Sequence, residues 1–330
     1  MFFFIYFSSP LRNVLRKKDF LMKNNIIIIF LFYSLVAVAQ QDPLFTQNMY
    51  SQSSINPAYA GSSGMICATA LNRLQWVGFG DGSPMITMIN VNAAVKPFGL
   101  SSGIGMNISN DQFGFNKDLG IDLSYAVRFN AAGAGKLAIG ITGGFINNTL
   151  EAGNWITPSG STDNSLPNTK ESSINFDMGF GIFFNNDDMY FGASVTHLNE
   201  TNFNKAVNPS TYKRHYYITG GYMLQMPNPA WQFNPSVFIG SDLSTNLLSV
   251  TANVIYNKRF WGGVSYRVSE GVAGMIGFEL FSGMRIGYAY DFSTTEISKY
   301  NSGSHEFMLG YCFSLKKEKP PQQYKSIRFL

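Results

Sequence analysis

Residues 118–129 read DLGIDLSYAVRF, and the pattern in this stretch decides the fold class. Every second residue is apolar, whereas the residues between them are small, polar or charged. A period of two residues is that of a β-strand with one apolar and one polar face. The same alternation runs through 174–184 and 284–292. The apolar face would form the core of a soluble sheet or would meet lipid in a membrane barrel, so alternation alone leaves both alternatives open.

Strand length and loop length separate these alternatives. Most predicted strands reach about 10 residues, the length that a tilted strand needs to cross a membrane, whereas soluble strands have a mode of about 5–6. The connections after even-numbered strands are tight, and those at 150–172, 199–212 and 293–303, after odd-numbered strands, are long. Short periplasmic turns and long external loops are typical of outer-membrane barrels. The predicted strands are 64–77, 84–95, 101–110, 117–130, 136–149, 173–185, 188–198, 213–226, 231–240, 247–256, 259–268, 271–281, 283–292 and 304–315.

The sequence therefore predicts an all-β fold, a transmembrane antiparallel β-barrel of about 14 strands with both termini in the periplasm. Composition agrees, because charged residues make up only 13% of the chain, whereas soluble surfaces are about 25–35% charged. After residue 36 no apolar run is long enough to cross a bilayer as a helix. The net charge of +4 is too small to indicate a nucleic-acid partner.

The N-terminal region predicts export. Residues 22–39 contain a lysine, an apolar stretch and the sequence Ala37-Val38-Ala39, which together are typical of a secretory signal peptide. We interpret residues 1–21 as a mis-assigned upstream extension and expect translation to begin at Met22. The mature chain is then expected to contain a periplasmic segment or plug at 40–63, the barrel at 64–315 and a basic periplasmic tail at 316–330.

Neither histidine nor cysteine usage predicts an enzyme or a cofactor. The three histidines, His197, His215 and His305, all fall near predicted outer strand ends, where outer-membrane proteases and lipases place a histidine beside serine or aspartate. No HExxH motif occurs, and two cysteines are too few for a metal site of their own. We therefore predict no catalytic residue, no cofactor and no metal.

The two cysteines are nevertheless placed by the strand period. Cys67 on the first strand and Cys312 on the last strand share the inward face at similar depth, and these strands are neighbours in a closed barrel. A disulfide requires Cβ atoms about 3.5–4.5 Å apart, and exported proteins meet an oxidising compartment. The sequence predicts a disulfide or a close pair, and the alternative is two unrelated small residues.

Several motifs resemble one family. The chain has QDPLFTQ at 41–47, INPAYAG at 55–61, QWVGF at 75–79, RIGYAYD at 285–291 and NSGSHE at 301–306. Together they resemble the PorP/SprF family of the type IX secretion and gliding machinery. The resemblance implies a non-enzymatic barrel in the outer membrane that delivers or anchors particular surface proteins, often adhesins. The partners it implies are outer-membrane lipid, periplasmic ring components of the machine and the secreted cargo.

The opening motifs also have a physical interpretation. Residues 40–61 contain two prolines and too little alternation for a strand, and Pro57 biases the residue before it toward extended or turn geometry. We interpret this region as a docking arm or a plug, and the alternative is a disordered leader. The candidate partner-binding residues are Asp42, Pro43, Phe45, Asn56, Pro57 and Tyr59.

A passive porin or small-molecule transporter is the competing function. Charged residues of both signs are expected to face the lumen, where they would line a channel or pair across a blocked one. Because a buried charge without a partner is costly, mixed signs favour pairing. These residues are Asp118, Asp122, Arg128, Asp177, Arg267, Arg285, Asp291 and Glu306.

Overall fold

A computed structural model describes most of the chain. The described residues are 42, 44–131, 133–151, 169–200, 202–203, 210–280 and 283–314. The expected signal peptide, the expected basic tail and Pro43 lie outside the described residues. So do both chain termini, so their placement in the periplasm stays a prediction.

The described residues form a closed antiparallel barrel of 14 strands, which confirms the predicted fold class. A two-residue extension, Leu224–Gln225, continues the eighth strand toward the ninth. The first strand pairs with the second and with the last, which closes the sheet. The strands are β1 Ile66–Leu74, β2 Met85–Val95, β3 Ser102–Phe113, β4 Asn116–Asn130, β5 Lys136–Leu150, β6 Glu171–Asn185, β7 Met189–Thr196, β8 His215–Tyr222, β9 Trp231–Ser241, β10 Asn246–Tyr256, β11 Phe260–Arg267, β12 Gly271–Glu279, β13 Met284–Ser293 and β14 Ser304–Phe313.

Predicted and observed strands agree within a few residues. The largest trimming is at β1, predicted over 64–77, because Gly64 and Trp76 both adopt positive φ angles that end an extended strand. The predicted strand 213–226 is interrupted near Met223 before its short extension. Among the described residues no helix is both long enough and apolar enough to cross a membrane.

The two faces of the strands have the predicted polarity. On β4 the outward side chain of Leu123 is 63% exposed, whereas the inward Asp118 is 6% exposed. Because an exposed band of apolar side chains is unfavourable in water and favourable against lipid, this outer surface suits a bilayer. The lumen side is polar, so any segment inside it meets charged and hydrogen-bonding groups.

The barrel has two distinguishable ends. We call the end with the connections after even-numbered strands the turn end, and the opposite end the loop end. The turn-end connections are 96–101, 131–135, 186–188, 223–230, 257–259 and 280–283. The loop-end connections are 75–84, 114–115, 151–170, 197–214, 242–245, 268–270 and 294–303. The last of these contains a 3-10 helix, Glu296–Tyr300, and 197–214 contains a small strand pair, Asn202–Phe203 with Ser210–Thr211.

The seam between β1 and β14 is closed differently at its two ends. Cys67 lies opposite Cys312 near the turn end, with Cα atoms 4.1 Å apart, and their sulfur atoms form a disulfide. Arg73 lies opposite Glu306 near the loop end. The structure thus brings the two cysteines together on the inward face, as the strand period placed them.

Residues 42 and 44–64, which we call the lumen segment, precede β1. The segment contains a 3-10 helix at Asn48–Tyr50, one α-helical turn at Gln52–Ile55 (α1) and a second 3-10 helix at Pro57–Tyr59. Its hydrogen bonds reach inward-facing groups of β1, β2, β4, β6, β7, β8, β11, β13 and β14. The segment therefore lies inside the barrel.

Candidate functional site

The lumen segment is anchored at the loop end by a buried carboxylate. Glu306, at the start of β14, is 0% exposed. Its Oε2 accepts a hydrogen bond from the backbone N–H of Thr46 at 2.7 Å, and its Oε1 accepts one from Gln47 at 2.8 Å. Arg73 compensates the charge from 3.3 Å. Hydrogen bonds to an ionised acceptor are roughly twice as strong as neutral ones, so this clamp fixes the segment's turn at Thr46.

Around this clamp the inward charges pair with one another. Arg73 lies 2.5 Å from Asp291, and Arg267 lies 3.6 Å from the same carboxylate. The Thr46 hydroxyl donates to Asp291 at 2.6 Å. Since both arginines and both carboxylates are largely buried, each depends on the others for its charge balance. The lumen segment completes this network instead of passing beside it.

A second loop-end cluster surrounds Asp42, the first described residue of the segment. Its Oδ1 lies 2.9 Å from Nε2 of His197. Its Oδ2 accepts hydrogen bonds from the Tyr217 hydroxyl at 2.6 Å and from Thr196 at 3.1 Å. Its backbone N–H donates to Nε2 of His215 at 3.4 Å. Four inward groups of β7, β8 and the adjoining loop thus converge on one residue of the segment, three on its side chain and one on its backbone N–H.

The electrostatics of this cluster favour an ion pair. Burial by itself would raise the pKa of Asp42, but the neighbouring His197 and His215 outweigh burial and hold the pKa well below its ordinary value. Burial would lower the pKa of His197, which follows β7, but Asp42 and Asp177 raise the pKa above its ordinary value. Both directions favour the charged form of each group, so Asp42 and His197 stabilise each other as an ion pair.

Apolar contacts also hold the segment. Phe45 is 6% exposed and packs in a cluster with Leu71, Ile86, Met88 and Met308 from the wall. Burial of a phenylalanine side chain contributes about 1.5–3 kcal/mol. The ring therefore anchors the segment without any charge.

Asn56 begins the contacts at the turn end. Its Oδ1 accepts a hydrogen bond from the backbone N–H of Ala58 at 3.0 Å and so caps the 3-10 helix that starts at Pro57. Its Nδ2 donates to the carbonyl oxygen of Ile182 on β6 at 2.9 Å. One amide side chain thereby shapes the segment and attaches it to the wall, which explains the Asn-Pro pair within the INPAYAG motif.

Arg128 on β4 completes the turn-end contacts in an unusual way. Its guanidinium donates to three backbone carbonyls of the segment, Ala58 at 3.2 Å, Tyr59 at 3.1 Å and Ala60 at 2.6 Å. Carbonyl groups at the end of a short helix have no partners within that helix, and a cation there is favourable. Arg128 therefore recognises the backbone of the segment rather than a carboxylate.

Inward-facing glycines make room for the same backbone. A Cβ atom added at Gly103 on β3 would overlap the carbonyl of Ala60, and one added at Gly140 on β5 would overlap the backbone of Ala58. These glycines allow the close approach of a second chain segment.

The candidate partner-binding residues contact the chain's own wall. Asp42, Phe45, Asn56 and Pro57 are largely buried, and the Tyr59 ring packs edge-on against Phe183 at 5.3 Å between centroids. Pro43 lies outside the described residues. Their contact with another protein stays a prediction. The sequence analysis did not identify the histidines, Arg73 or the glycines as anchors of the segment. For the residues on strands, the only indication in the sequence was the alternation that places every second side chain on the inward face.

Comparison with known proteins now identifies the family. The model of the type IX secretion system membrane protein PorP/SprF matches residues 37–311. This chain belongs to the PorP/SprF family. It is accordingly a membrane component of the type IX secretion system, located in the outer membrane and associated with the secretion machinery. The family resemblance and the membrane location expected from the sequence are confirmed.

Several solved structures are similar to this chain in fold but have little sequence identity to it. The monoaromatic hydrocarbon channel CymD is similar with a TM-score of 0.50 and 10% identity, over 82% of this chain and 94% of that chain. The toluene transporter TbuX of Ralstonia pickettii is similar with a TM-score of 0.49 and 9% identity, over 80% of this chain and 93% of that chain. Omp33 of Acinetobacter baumannii is similar with a TM-score of 0.45 and 5% identity, over 76% of this chain and 97% of that chain. No curated protein matches the chain at a significant level. At such identities the likeness to CymD shows the fold alone.

Proposed function

We propose that this PorP/SprF-family barrel helps to secrete or anchor specific cell-surface proteins, adhesins among them, and does so without catalysis. Its partners are the periplasmic ring components of the type IX machine and the secreted cargo. Family membership supports an association with the secretion machine. The contacts inside the lumen support an accessory role in that machine. The observation that carries the proposal is the lumen segment, whose hydrogen bonds reach strands that include β4, β6, β7 and β14.

The competing function is a passive porin or small-molecule transporter. CymD and TbuX, which share the fold, are a hydrocarbon channel and a toluene transporter. A solute would have to pass the segment between Thr46 and Ala60, which Glu306 holds near the loop end and Arg128 holds near the turn end. We therefore favour an obstructed barrel that works through protein contacts.

The contacts of the histidine cluster support a non-enzymatic role. Asp42, the acidic neighbour of both histidines, is also bonded to Tyr217 and Thr196, so the cluster serves to hold the segment. We propose that the histidines near the strand ends fix the segment in place.

Gene deletion tests the function directly. We expect loss of one or a few surface proteins from the cell exterior, measured by mass spectrometry of surface-shaved peptides, with unchanged permeability to small solutes. Complementation with the wild-type gene is the control. Unchanged surface proteins together with impaired solute uptake would support the transporter instead.

Conductance in a planar bilayer tests the obstruction separately. The mature protein should give no steady open channel, whereas a variant with residues 42–60 replaced by a short glycine-serine linker should conduct. Replacement of residues 152–170, a stretch of the same length in a loop-end connection, by the same linker is the matched control and should leave conductance low. A steady channel in the unaltered protein would contradict the obstructed lumen.

Epitope tags test the orientation of the barrel. We propose that the loop end faces the cell exterior, because its connections at 151–170 and 197–214 are the longest. Tags in these loops should bind antibody on intact cells, whereas a tag in the turn 131–135 should bind only after permeabilisation. The reverse pattern would invert the topology and place Asp42 at the periplasmic mouth.

A further inference from the structure

The cluster around Asp42 has the donor set of a metal site. One carboxylate oxygen of Asp42 and one ring nitrogen each of His197 and His215 all lie within 4.8 Å of one another. Zinc is bound by imidazole nitrogen and carboxylate oxygen at about 2.0–2.2 Å, so its ligand atoms lie roughly 3–4 Å apart. Only a small movement of the most distant pair would bring the three atoms around one ion.

The other ring nitrogens have the partners that metal-binding histidines usually have. Nδ1 of His197 lies 3.0 Å from the Asp177 carboxylate, at ion-pair distance but without hydrogen-bond geometry. Nδ1 of His215 lies 3.0 Å from the backbone carbonyl of Lys213, which can only accept a hydrogen bond. A carboxylate or a carbonyl on one nitrogen fixes the ring and leaves the other nitrogen available for a metal. In His197 that other nitrogen, Nε2, lies 2.9 Å from the Asp42 carboxylate. In His215 it lies 3.4 Å from the backbone nitrogen of Asp42, and Nδ1 is the ring nitrogen 3.7 Å from the carboxylate.

The burial of the two histidines and the access to them from solvent also suit a metal site. His197 and His215 are 8% and 5% exposed, and their rings lie 5.8 Å apart at 80°, so they converge from different directions. A small cleft opens beside His215 and is lined by Asp42, His215 and Asp242. The buried Oδ2 atom of Asp242 has no hydrogen-bond partner among the described residues. The cleft offers an entry path and a further oxygen donor on its lining.

We propose that Asp42, His197 and His215 bind a divalent transition-metal ion of the zinc class, which fastens the lumen segment to the loop end of the barrel. Two imidazoles and one carboxylate suit zinc and its neighbours, whereas Ca²⁺ and Mg²⁺ prefer oxygen ligands alone. On binding, the ion takes the lone pair of His197 Nε2, and the proton held there leaves to solvent. The ion would thus join a ligand of the segment to two ligands of the wall.

Zinc binding to the purified mature barrel tests the site. The protein is stripped with a chelator in detergent, loaded with Zn²⁺ alone and analysed for metal content and by titration. We expect about one ion per chain. His215→Gln, which keeps an acceptor for the Asp42 N–H but removes the imidazole, should weaken binding at least tenfold. His305→Gln is the matched control, because His305 bonds to Tyr288 outside the cluster and should bind as the wild type does.

A second variant and a second readout keep the test decisive if folding is affected. Asp177→Asn leaves all three ligands in place and should weaken binding about 10–100-fold through the orientation of His197. Co²⁺ in place of Zn²⁺ should give visible absorption bands that His215→Gln abolishes in a barrel whose β-sheet signal is unchanged. Absence of a stoichiometric ion in the wild type, or equal binding by His215→Gln and wild type, would overturn the proposal. Either result would leave the secretion role untouched, because that role is measured on cells.

Discussion

The two ends of the lumen hold the same segment by different kinds of interaction. At the loop end the segment is bound by charge, through Asp42 with His197 and through Thr46 with Glu306, Asp291 and Arg73. At the turn end it is bound by shape and by backbone hydrogen bonds, through Asn56, Arg128 and the inward glycines. The seam shows the same contrast, with an ion pair at the loop end and a disulfide at the turn end.

This difference indicates which end can open. A buried ion-pair network is strong only while every member is present, so a competing charge, a proton or a metal can shift it. Close packing of the segment's backbone against glycine does not respond to a charge, a proton or a metal in this way. At the turn end the segment is also covalently continuous with β1. We infer that the segment is permanently held at the turn end and conditionally held at the loop end, where the longest connections lie.

The largest effect is expected from breaking the loop-end network. Arg73→Met leaves two buried carboxylates, Asp291 and Glu306, without their shared cation, which should lower the free energy of unfolding by about 3–5 kcal/mol. Urea unfolding in detergent or lipid measures it. Lys117→Gln is the control, because its pair with Glu151 at the same end is about half exposed (43% and 42%) and contributes little. Equal stability of the two variants would contradict the role of charge inside the lumen.

The sequence predicted the strands and their faces but not these contacts. Strand period is a local property, so the inward position of Arg128 and Glu306 follows from their neighbours along β4 and β14. Asp42 and His197 are 155 residues apart, and the segment between Asp42 and Gly61 has no period from which a direction could be derived. The partners of Arg128 are backbone carbonyls, which leave no trace in the side-chain sequence. The anchoring of the segment therefore required the three-dimensional structure.

The turn-end disulfide should have the next largest effect. Cys67→Ser removes a crosslink between residues 245 positions apart, and loss of a disulfide typically costs about 2–4 kcal/mol. Cys312→Ser and the double variant should be equally destabilised, since each removes the same bond. Thiol labelling of the denatured, unreduced protein measures the bond in material taken from the envelope. Two reactive thiols there would show that the bond does not form in the cell.

A smaller effect is expected from filling one glycine at the turn end. Gly140→Val places side-chain atoms where the backbone of Ala58 lies, and overpacking of this kind costs about 1–3 kcal/mol. The displaced segment should become sensitive to protease in the detergent-solubilised barrel. Gly274→Val is the matched control, because a Cβ there meets no atom within 4 Å. Protease resistance of Gly140→Val equal to that of the control would contradict the close fit.

The smallest effect is expected at Asn56, and it tests whether the turn end depends on one polar group or on shape. Asn56→Ala removes the cap on the Ala58 N–H and the hydrogen bond to Ile182, which should cost about 1 kcal/mol. Asn56→Ser retains a capping oxygen and should lose less. Because Asn56 and Gly140 act on the same short helix, the double variant with Gly140→Val should be less destabilised than the two single losses together. If Asn56→Ala instead destabilised the barrel as much as Arg73→Met, the turn end would depend on a buried polar group just as the loop end does. The contrast between conditional and permanent attachment would then fail.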